Sequence, residues 1–492
     1  MDTYDSIENT VEGEKEKNNW TSFRRQLFIT SGVCSIYFVL GLCYGIPNVV
    51  IPQLRKEANS TEAVSEEMAS WITSVHGYSA LPWILVLPVM TRLLGRKIPF
   101  ILVCMNTLIG YTMFYCSNNA TFVLISEIMQ GSLAASNMTV LILIVTEYTT
   151  PKYRGIFMTV KSTIFFWGVW IANATGTFFH WKKIAIYALV FSIYPFTVFF
   201  WPESPSWLAM KGKFTECAAA HHWLKGYGND SEKELNNLIK AQKEYLKLRM
   251  GRNRTIRSRI KGFFEKMTTK GFYAPLLLSI CVMSLYNFSG KFVCTMYSIE
   301  LIKKITNSES TAYLGMLILE AVTILSMHFG SVLSRFLRRR TLLLGSSFLG
   351  IIFLLILSMY LYLISLKIID ENKVVSISLL TIFSMTISCG PMILACSVYG
   401  ELTPIRFRSS SLPLLALYSE FLMASVLKIS PYIFKALKLH GAFLFYGLSA
   451  SVFAFILYKF LPETKDKTLQ EIEKYFQETC TTKDLSKQLI VK

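Results

Sequence analysis

Arg92-Leu-Leu-Gly95-Arg96-Lys97, then Glu147-Tyr-Thr-Thr-Pro151-Lys-Tyr-Arg154, then Pro202-Glu203-Ser-Pro205: each of these charged signatures closes a long apolar run in the first half of this 492-residue chain. The second half repeats them in order, as Arg335-Phe-Leu-Arg338-Arg339-Arg340, Glu401-Leu-Thr-Pro404-Ile-Arg406-Phe-Arg408 and Pro462-Glu463-Thr464-Lys465. Corresponding elements lie roughly 240 to 260 residues apart. Charged punctuation recurring inside a hydrophobic chain marks a duplicated membrane unit, the architecture on which carriers build alternating access.

The composition agrees with a membrane solvent. The chain is 52% hydrophobic and only 17% charged, whereas a soluble domain carries about 25% charged residues. The net charge of +18 concentrates between apolar runs, as expected where one face meets anionic lipid. No nucleic-acid reading module accompanies it, so nucleic acid is not an expected partner. Of the ten cysteines, Cys34, Cys43, Cys104, Cys116, Cys281, Cys294, Cys389 and Cys396 fall within apolar runs, where Cys behaves as a small hydrophobe. No CxxC pair occurs, and the adjacent His221-His222 point in different directions on a helix, so neither disulfides nor a metal site is expected. The phosphate loop of ATP-driven pumps is absent, as are hydrolase signatures and paired catalytic carboxylates. The chain reads as neither an enzyme nor a cofactor protein.

A bilayer core needs about 20 apolar residues per helix. Such runs lie near 27–52, 69–91, 98–117, 121–146, 156–179 and 183–201, and again near 272–300, 312–334, 341–364, 374–400, 409–434 and 441–461. This predicts an all-α membrane protein with twelve transmembrane helices in two pseudo-symmetric six-helix bundles, 27–201 and 272–461. A tail (1–26), a central loop (202–271) and a second tail (462–492) complete it. Lys and Arg gather in the C-terminal tail, the central loop and segments 92–97, 152–161, 335–340 and 406–408. The positive-inside rule therefore predicts both termini in the cytoplasm. The sequons at Asn59 and Asn119 fall on the predicted outside, though others at Asn229 and Asn253 fall within the central loop. That loop is amphipathic: Thr215 to Lys225 reads as one helix closed by Gly226, and Ser231-Glu-Lys-Glu234 as a capping-box start for a second.

The order GRK (95–97), Glu147 with Arg154, PESPSWL (202–208) and PETKDKTLQEI (462–472) closely resembles the sugar-porter branch of the major facilitator superfamily. Within it the chain looks most like insect facilitated trehalose-transporter-like proteins. The resemblance spans about 27 to 475 and implies the major facilitator fold. It also implies an inner-face gating network of Arg96, Glu147, Arg154 and Glu203, mirrored by Arg339, Arg340, Glu401, Arg408 and Glu463. On physical grounds, acids and bases at span ends pair across neighbouring helices and bias a bistable element. The chain departs from the family where it carries Arg92 and Arg335 in place of acids and Arg338 in place of Gly, which predicts a weaker inward gate.

The resemblance also places the substrate. The family's seventh span carries a Gln-Gln-x-Ser-Gly-x-Asn pattern, which here reads Tyr286-Asn287-Phe288-Ser289-Gly290-Lys291-Phe292. Cys396 stands at the tenth-span Trp, Glu127 at the fourth-span Arg, and Ser419-Glu420 at the eleventh-span Asn-Trp. Tyr286, Asn287, Ser289, Lys291, Ser419, Glu420 and the aromatic Trp167 are therefore the expected substrate contacts. Lys291, Glu320, Glu420 and Lys428 are intramembrane charges, which face a cavity or a partner; Lys291 is expected to pair with Glu320 or Glu420. Cys43 replaces the first-span Asp of proton-coupled relatives, which favours facilitated diffusion, with Glu127 as the substitute carboxylate. The expected function is facilitative transport of a sugar or sugar-like polyol, trehalose or a hexose, across the plasma membrane, with no obligate protein partner. The alternative is a non-transporting sensor signalling through the 202–271 loop.

Overall fold

The computed structural model describes residues 2–58, 64–250, 270–306, 308–402, 408–465 and 475–476. Twelve helices are long and apolar enough to cross a bilayer. We number them spans 1 to 6 (Trp20–Glu57, Glu66–Leu94, Lys97–Cys116, Ala120–Tyr148, Tyr153–Phe178, Lys183–Phe200) and spans 7 to 12 (Phe272–Met296, Glu309–Phe336, Arg339–Ser365, Lys373–Leu402, Ser411–Ala436, Lys438–Phe460). Their ends outrun the apolar runs by a few residues because capped polar turns extend the helices: Ser65 and Asn119 accept from Met68 N and Phe122 N at the starts of spans 2 and 4. The start of span 1, the end of span 12 and the 202–250 segment lie at one end, here called the tail side; the opposite end is the far side.

The bundles mirror each other in detail. Span 4 is interrupted at Thr139 (φ −124°, ψ −89°) and span 10 at Gly390 (φ −118°, ψ −81°), nearly the same distortion at corresponding places. Small residues set the closest approaches. Gly41 of span 1 meets the Phe165 carbonyl and Gly168 of span 5, leaving no room for a Cβ. Gly131 meets Ser79 between spans 4 and 2, and Gly330 meets Cys389 between spans 8 and 10. In lipid, where water does not drive helices together, such backbone proximity supplies the van der Waals contact that does.

Among the described residues of the connection, three shorter helices follow span 6: Pro205–Met210, Phe214–Lys225 and Asn229–Met250. Leu208, Ala209, Cys217, Ala220 and Leu235 make their small core. The middle helix ends at Gly226 (φ 72°), as the sequence predicts. The third begins two residues before the expected Ser231 start, because the Ser231 hydroxyl bonds back to Gly226 O (2.9 Å) instead of capping. The unit docks on span 1, where Ser22 Oγ donates to Leu224 O (2.7 Å) and Arg25 to Trp223 O (2.8 Å). Residues 20–26 thus belong to span 1 rather than to a separate tail. The Asn59 and Asn253 sequons lie outside the described residues.

Candidate functional site: two ion-paired brackets and a buried midplane cluster

On the tail side the repeated signatures fold into matching brackets. In the first half Arg96 grips Glu147 with two bonds of 2.7 Å, Nε to Oε2 and Nη2 to Oε1, a charge-assisted fork. The Arg96 backbone N–H donates to Glu203 (2.9 Å), and Lys97 Nζ to Trp201 O (2.7 Å). In the second half Arg339 pairs with Glu401, its backbone N–H donates to Glu463 (3.1 Å), and Arg340 Nη2 donates to Tyr458 O (2.6 Å). Each bracket lies within one bundle and ties the ends of three spans. The bidentate partner of Glu147 is thus Arg96; Arg154 donates to Thr149 O (3.4 Å). The Arg408 side chain lies outside the described residues.

The departures from the family pattern have local explanations. Gly95 adopts φ 99°, a left-handed conformation that favours glycine, beside the Glu203 carboxylate. Arg338 occupies the matching turn at φ −66°, which any residue adopts. Arg92 and Arg335 are exposed, and their carbonyls accept from Trp207 Nε1 (3.1 Å) and Lys465 Nζ (2.7 Å).

The hydrogen bonds described between the bundles lie at the midplane, where Tyr44 Oη donates to Met423 Sδ (4.0 Å), and in the far half. Asn48 donates to Thr295 O (2.7 Å) and Ser298 Oγ (3.0 Å), Tyr78 to Ser425 (3.1 Å), Trp170 to Leu317 O (3.1 Å), and Asn173 to Glu320 (2.6 Å). At the rim Lys435 reaches Glu66 (3.3 Å). Lys428 Nζ lies 3.8 Å from the centre of the Trp71 ring, which resolves that intramembrane charge as a cation–π contact across the bundles.

Between these levels span 7 breaks. Its helix runs to Phe288, Gly290 takes φ 76°, and a short helix resumes at Lys291–Met296. The expected continuous run 272–300 is therefore three pieces, with a further break at Tyr297 before the helix Ser298–Thr306; such discontinuity is the device by which carriers expose backbone at a midplane site. The sequence-predicted contacts gather around this break, though their bonding is largely inward. Asn287 Nδ2 donates to Met283 O (2.9 Å), Ser289 Oγ to Tyr286 O (2.7 Å), and Ser419 Oγ points to Met283 Sδ (3.6 Å). Lys291 Nζ donates to Thr323 Oγ1 (2.8 Å), with Glu320 one turn before Thr323 on span 8. The expected partner Glu420 is not bonded to Lys291; it lies instead near Tyr44 of span 1. Trp167 is 44% exposed and packs edge-on against Trp170, apart from the cluster. The Cys396 side chain lies outside the described residues.

Sequence reasoning misses two members. Tyr44 makes ring contacts with His76 (4.3 Å), Phe165 (5.3 Å) and Phe292 (5.5 Å), and both His76 nitrogens are buried without a hydrogen-bond partner. The available signal is His76 itself, an ionisable ring inside an apolar run. Glu127, read as the substitute carboxylate, accepts from the Cys43 thiol (3.2 Å). Among the described residues no three His, Cys, Asp or Glu side chains gather as a metal site.

This architecture is shared with solved transporters. The proton:xylose symporter XylE of the major facilitator superfamily, bound to 6-bromo-6-deoxy-D-glucose, superposes with a TM-score of 0.72 at 14% identity, over 93% of this chain and 100% of that one. The inward-open xylose transporter XylE from E. coli gives 0.70 at 14% identity, over 92% and 99%. The chain thus has the major facilitator fold. More particularly, residues 28–476 match the family model described as sugar (and other) transporter, and the chain belongs to that family. Similar proteins include the facilitated trehalose transporter Tret1-2 homolog of Drosophila sechellia, 22% identical over 468 residues, 94% of this chain and 93% of that protein. The facilitated trehalose transporter Tret1 of Polypedilum vanderplanki is 24% identical over 443 residues, 89% and 85% of the two chains.

Proposed function

We propose that this protein is a facilitative carrier of a sugar or sugar-like polyol, trehalose or a hexose among them, working at the plasma membrane by alternating access. The observation that carries the reading is the division of labour between the two faces: the described hydrogen bonds joining the bundles sit at the midplane and on the far side, while each tail-side bracket closes within its own bundle. Two halves bonded to each other at one face and each bracketed within itself at the other suit a bistable element. The relatives named as facilitated trehalose transporters support both the substrate class and passive transport, as does Cys43 at the position of a coupling carboxylate. They lend nothing to the sensor alternative.

In this reading Arg96, Glu147, Arg154, Glu203, Arg339, Arg340, Glu401, Arg408 and Glu463 set the tail-side gate. Tyr286, Asn287, Ser289, Lys291, Ser419 and Glu420 border the substrate path, and Asn287 and Ser289 exchange their internal bonds for substrate bonds when it is occupied. The basic tail side, with both termini and the 202–271 helical unit, faces the cytoplasm. Uptake of radiolabelled trehalose, glucose, fructose, sorbitol, glucosamine and N-methylglucamine into proteoliposomes tests the transport reading, and no flux of any of them above empty vesicles overturns it. Terminal tags reachable only after permeabilisation are expected; labelling on intact cells reverses the orientation.

A further inference from the structure

The midplane cluster holds a carboxyl group that its described neighbours leave without a partner. Glu420 of span 11 is 3% exposed, and its Oε2 is buried with no hydrogen-bond partner among the described residues. Tyr44 Oη donates to Met423 Sδ (4.0 Å), one turn along span 11 from Glu420, and Gly77, next to His76, packs against Ala424 and the Glu420 carbonyl. Among the described residues the Glu127 side chain bonds only the Cys43 thiol, a weak donor. The one buried lysine of the cluster is committed elsewhere, on Thr323 beside Glu320. A carboxyl held out of water without a partner either keeps its proton or meets a cation, and inside a membrane such a group marks a substrate, ion or proton path.

The surroundings of Glu420 suit an organic cation. The Tyr44 ring stands against His76 and Phe292, and Tyr286 lies 6.4 Å from Phe292, so aromatic faces and a carboxylate converge on one spot. Such faces attract ammonium groups by their quadrupoles. His76 is 0% exposed, with neither ring nitrogen bonded, and adds a second unanswered polar group. By contrast, the Asn287 amide and the Ser289 hydroxyl, at the sugar-binding positions, donate within their own helix. Glu420 offers a carboxyl oxygen with no partner among the described residues, the group a cation would meet.

We infer that the substrate carries a protonated amine: an amino sugar or amino polyol whose ammonium group seats against Glu420 within the Tyr44, His76, Tyr286 and Phe292 surround. This rests on the carrier reading above and narrows its substrate class.

The test uses purified full-length protein and two matched pairs, glucosamine against glucose and N-methylglucamine against sorbitol, so that each pair differs chiefly by the amine. Thermal stabilisation in detergent reads binding, and uptake into proteoliposomes reads transport. At least one amine is expected to stabilise wild type with a midpoint at least tenfold below its neutral partner. That amine should also accumulate under an inside-negative potential. Glu420→Gln should weaken amine binding at least tenfold and abolish the preference, whereas Glu420→Asp, which retracts the charge but keeps it, should retain the preference. Equal response to amine and neutral partner, or no response to either amine, overturns the inference whether or not the variants fold. So does neutral-sugar uptake accompanied by proton entry and lost in Glu420→Gln, which makes the counter-charge a proton. Neutral-sugar flux with no amine response leaves the carrier reading standing, while amine binding with no flux of any solute defeats the carrier reading and leaves the site.

Discussion

Replacing Glu147 by Gln and, separately, Glu401 by Gln probes the two brackets with the same chemical change in unequal surroundings. The Arg96 and Glu147 side chains are 9% and 13% exposed, whereas Arg339 and Glu401 are 30% and 24% exposed. Removing one partner of a buried ion pair costs about 3–5 kcal/mol. Arg96 keeps its bond to Thr91 O (2.9 Å), and the Gln amide retains one acceptor, so the cost at Glu147 falls to about 2–3 kcal/mol. In the more exposed second bracket, water screens the pair and the cost is about 1 kcal/mol or less. An unfolding entropy of roughly 2 cal/mol/K per residue converts these to a melting-temperature drop of about 2 to 3 °C for Glu147→Gln and about 1 °C or less for Glu401→Gln. If the bracket belongs to one conformation only, about 2–3 kcal/mol also shifts the equilibrium between conformations by about 30- to 140-fold. Uptake per surface copy should then fall clearly further in Glu147→Gln. The assay pairs melting of purified protein with flux at matched surface expression. If Glu401→Gln costs as much as Glu147→Gln, burial does not set the strength of the brackets; if neither changes melting or flux, these residues only mark topology.

Three further outcomes follow from the packing. Gly290→Ala places a Cβ at φ 76° and 3.1 Å from Tyr446, costing about 1–2 kcal/mol from backbone strain alone, measurable by thermal unfolding. Gly41→Val drives a side chain into the Phe165 carbonyl and should give protein that fails to elute as a single species in size-exclusion chromatography, whereas Gly155→Ala, with open space around it, should be silent. Burial, and then the nearby Lys225, hold the His221 pKa down at about 4, below its ordinary 6.5, with Glu234, His222 and Glu232 also facing it. The unfolded chain therefore binds more protons in between, so docking of the 205–250 unit weakens as pH falls from about 6.5 toward 4. Limited proteolysis of that unit across this range should show the slope, and His221→Gln should flatten it.

The duplicated architecture is legible in the sequence because each unit is punctuated by charges that a bilayer tolerates only at span ends, so Arg96, Glu147 and Glu203 announce both boundary and partnership. Their pairing is less legible. Glu147 and Arg154 are close in sequence, but the geometry that unites three span ends selects Arg96, which only packing of spans 3 and 4 decides. The break in span 7 hides for another reason: Ser289-Gly290 reads as a substrate signature, and a glycine inside an apolar run does not declare that it takes a positive φ. Lys291 looks equally able to reach Glu320 or Glu420; the direction set by the resumed helix sends it to Thr323. Tyr44 and His76 come from different spans, each unremarkable among its neighbours, and gain meaning only once the bundles bring them to 4.3 Å.

The placement of Asn48, Tyr78, Trp170 and Asn173 bears on kinetics. These four residues make neutral or singly charged bonds worth about 1 kcal/mol each, or somewhat more where a carboxylate accepts, and all must yield before solute can enter from their side. A carrier that rests in this way meets the two compartments unequally. Half-saturation measured from one face will differ from that measured from the other, and loosening any of the four will draw the two values together. For a passive carrier of a neutral solute the ratio of maximal rate to half-saturation must stay equal in both directions, so the asymmetry affects how readily each side saturates the protein and never which way net flow runs.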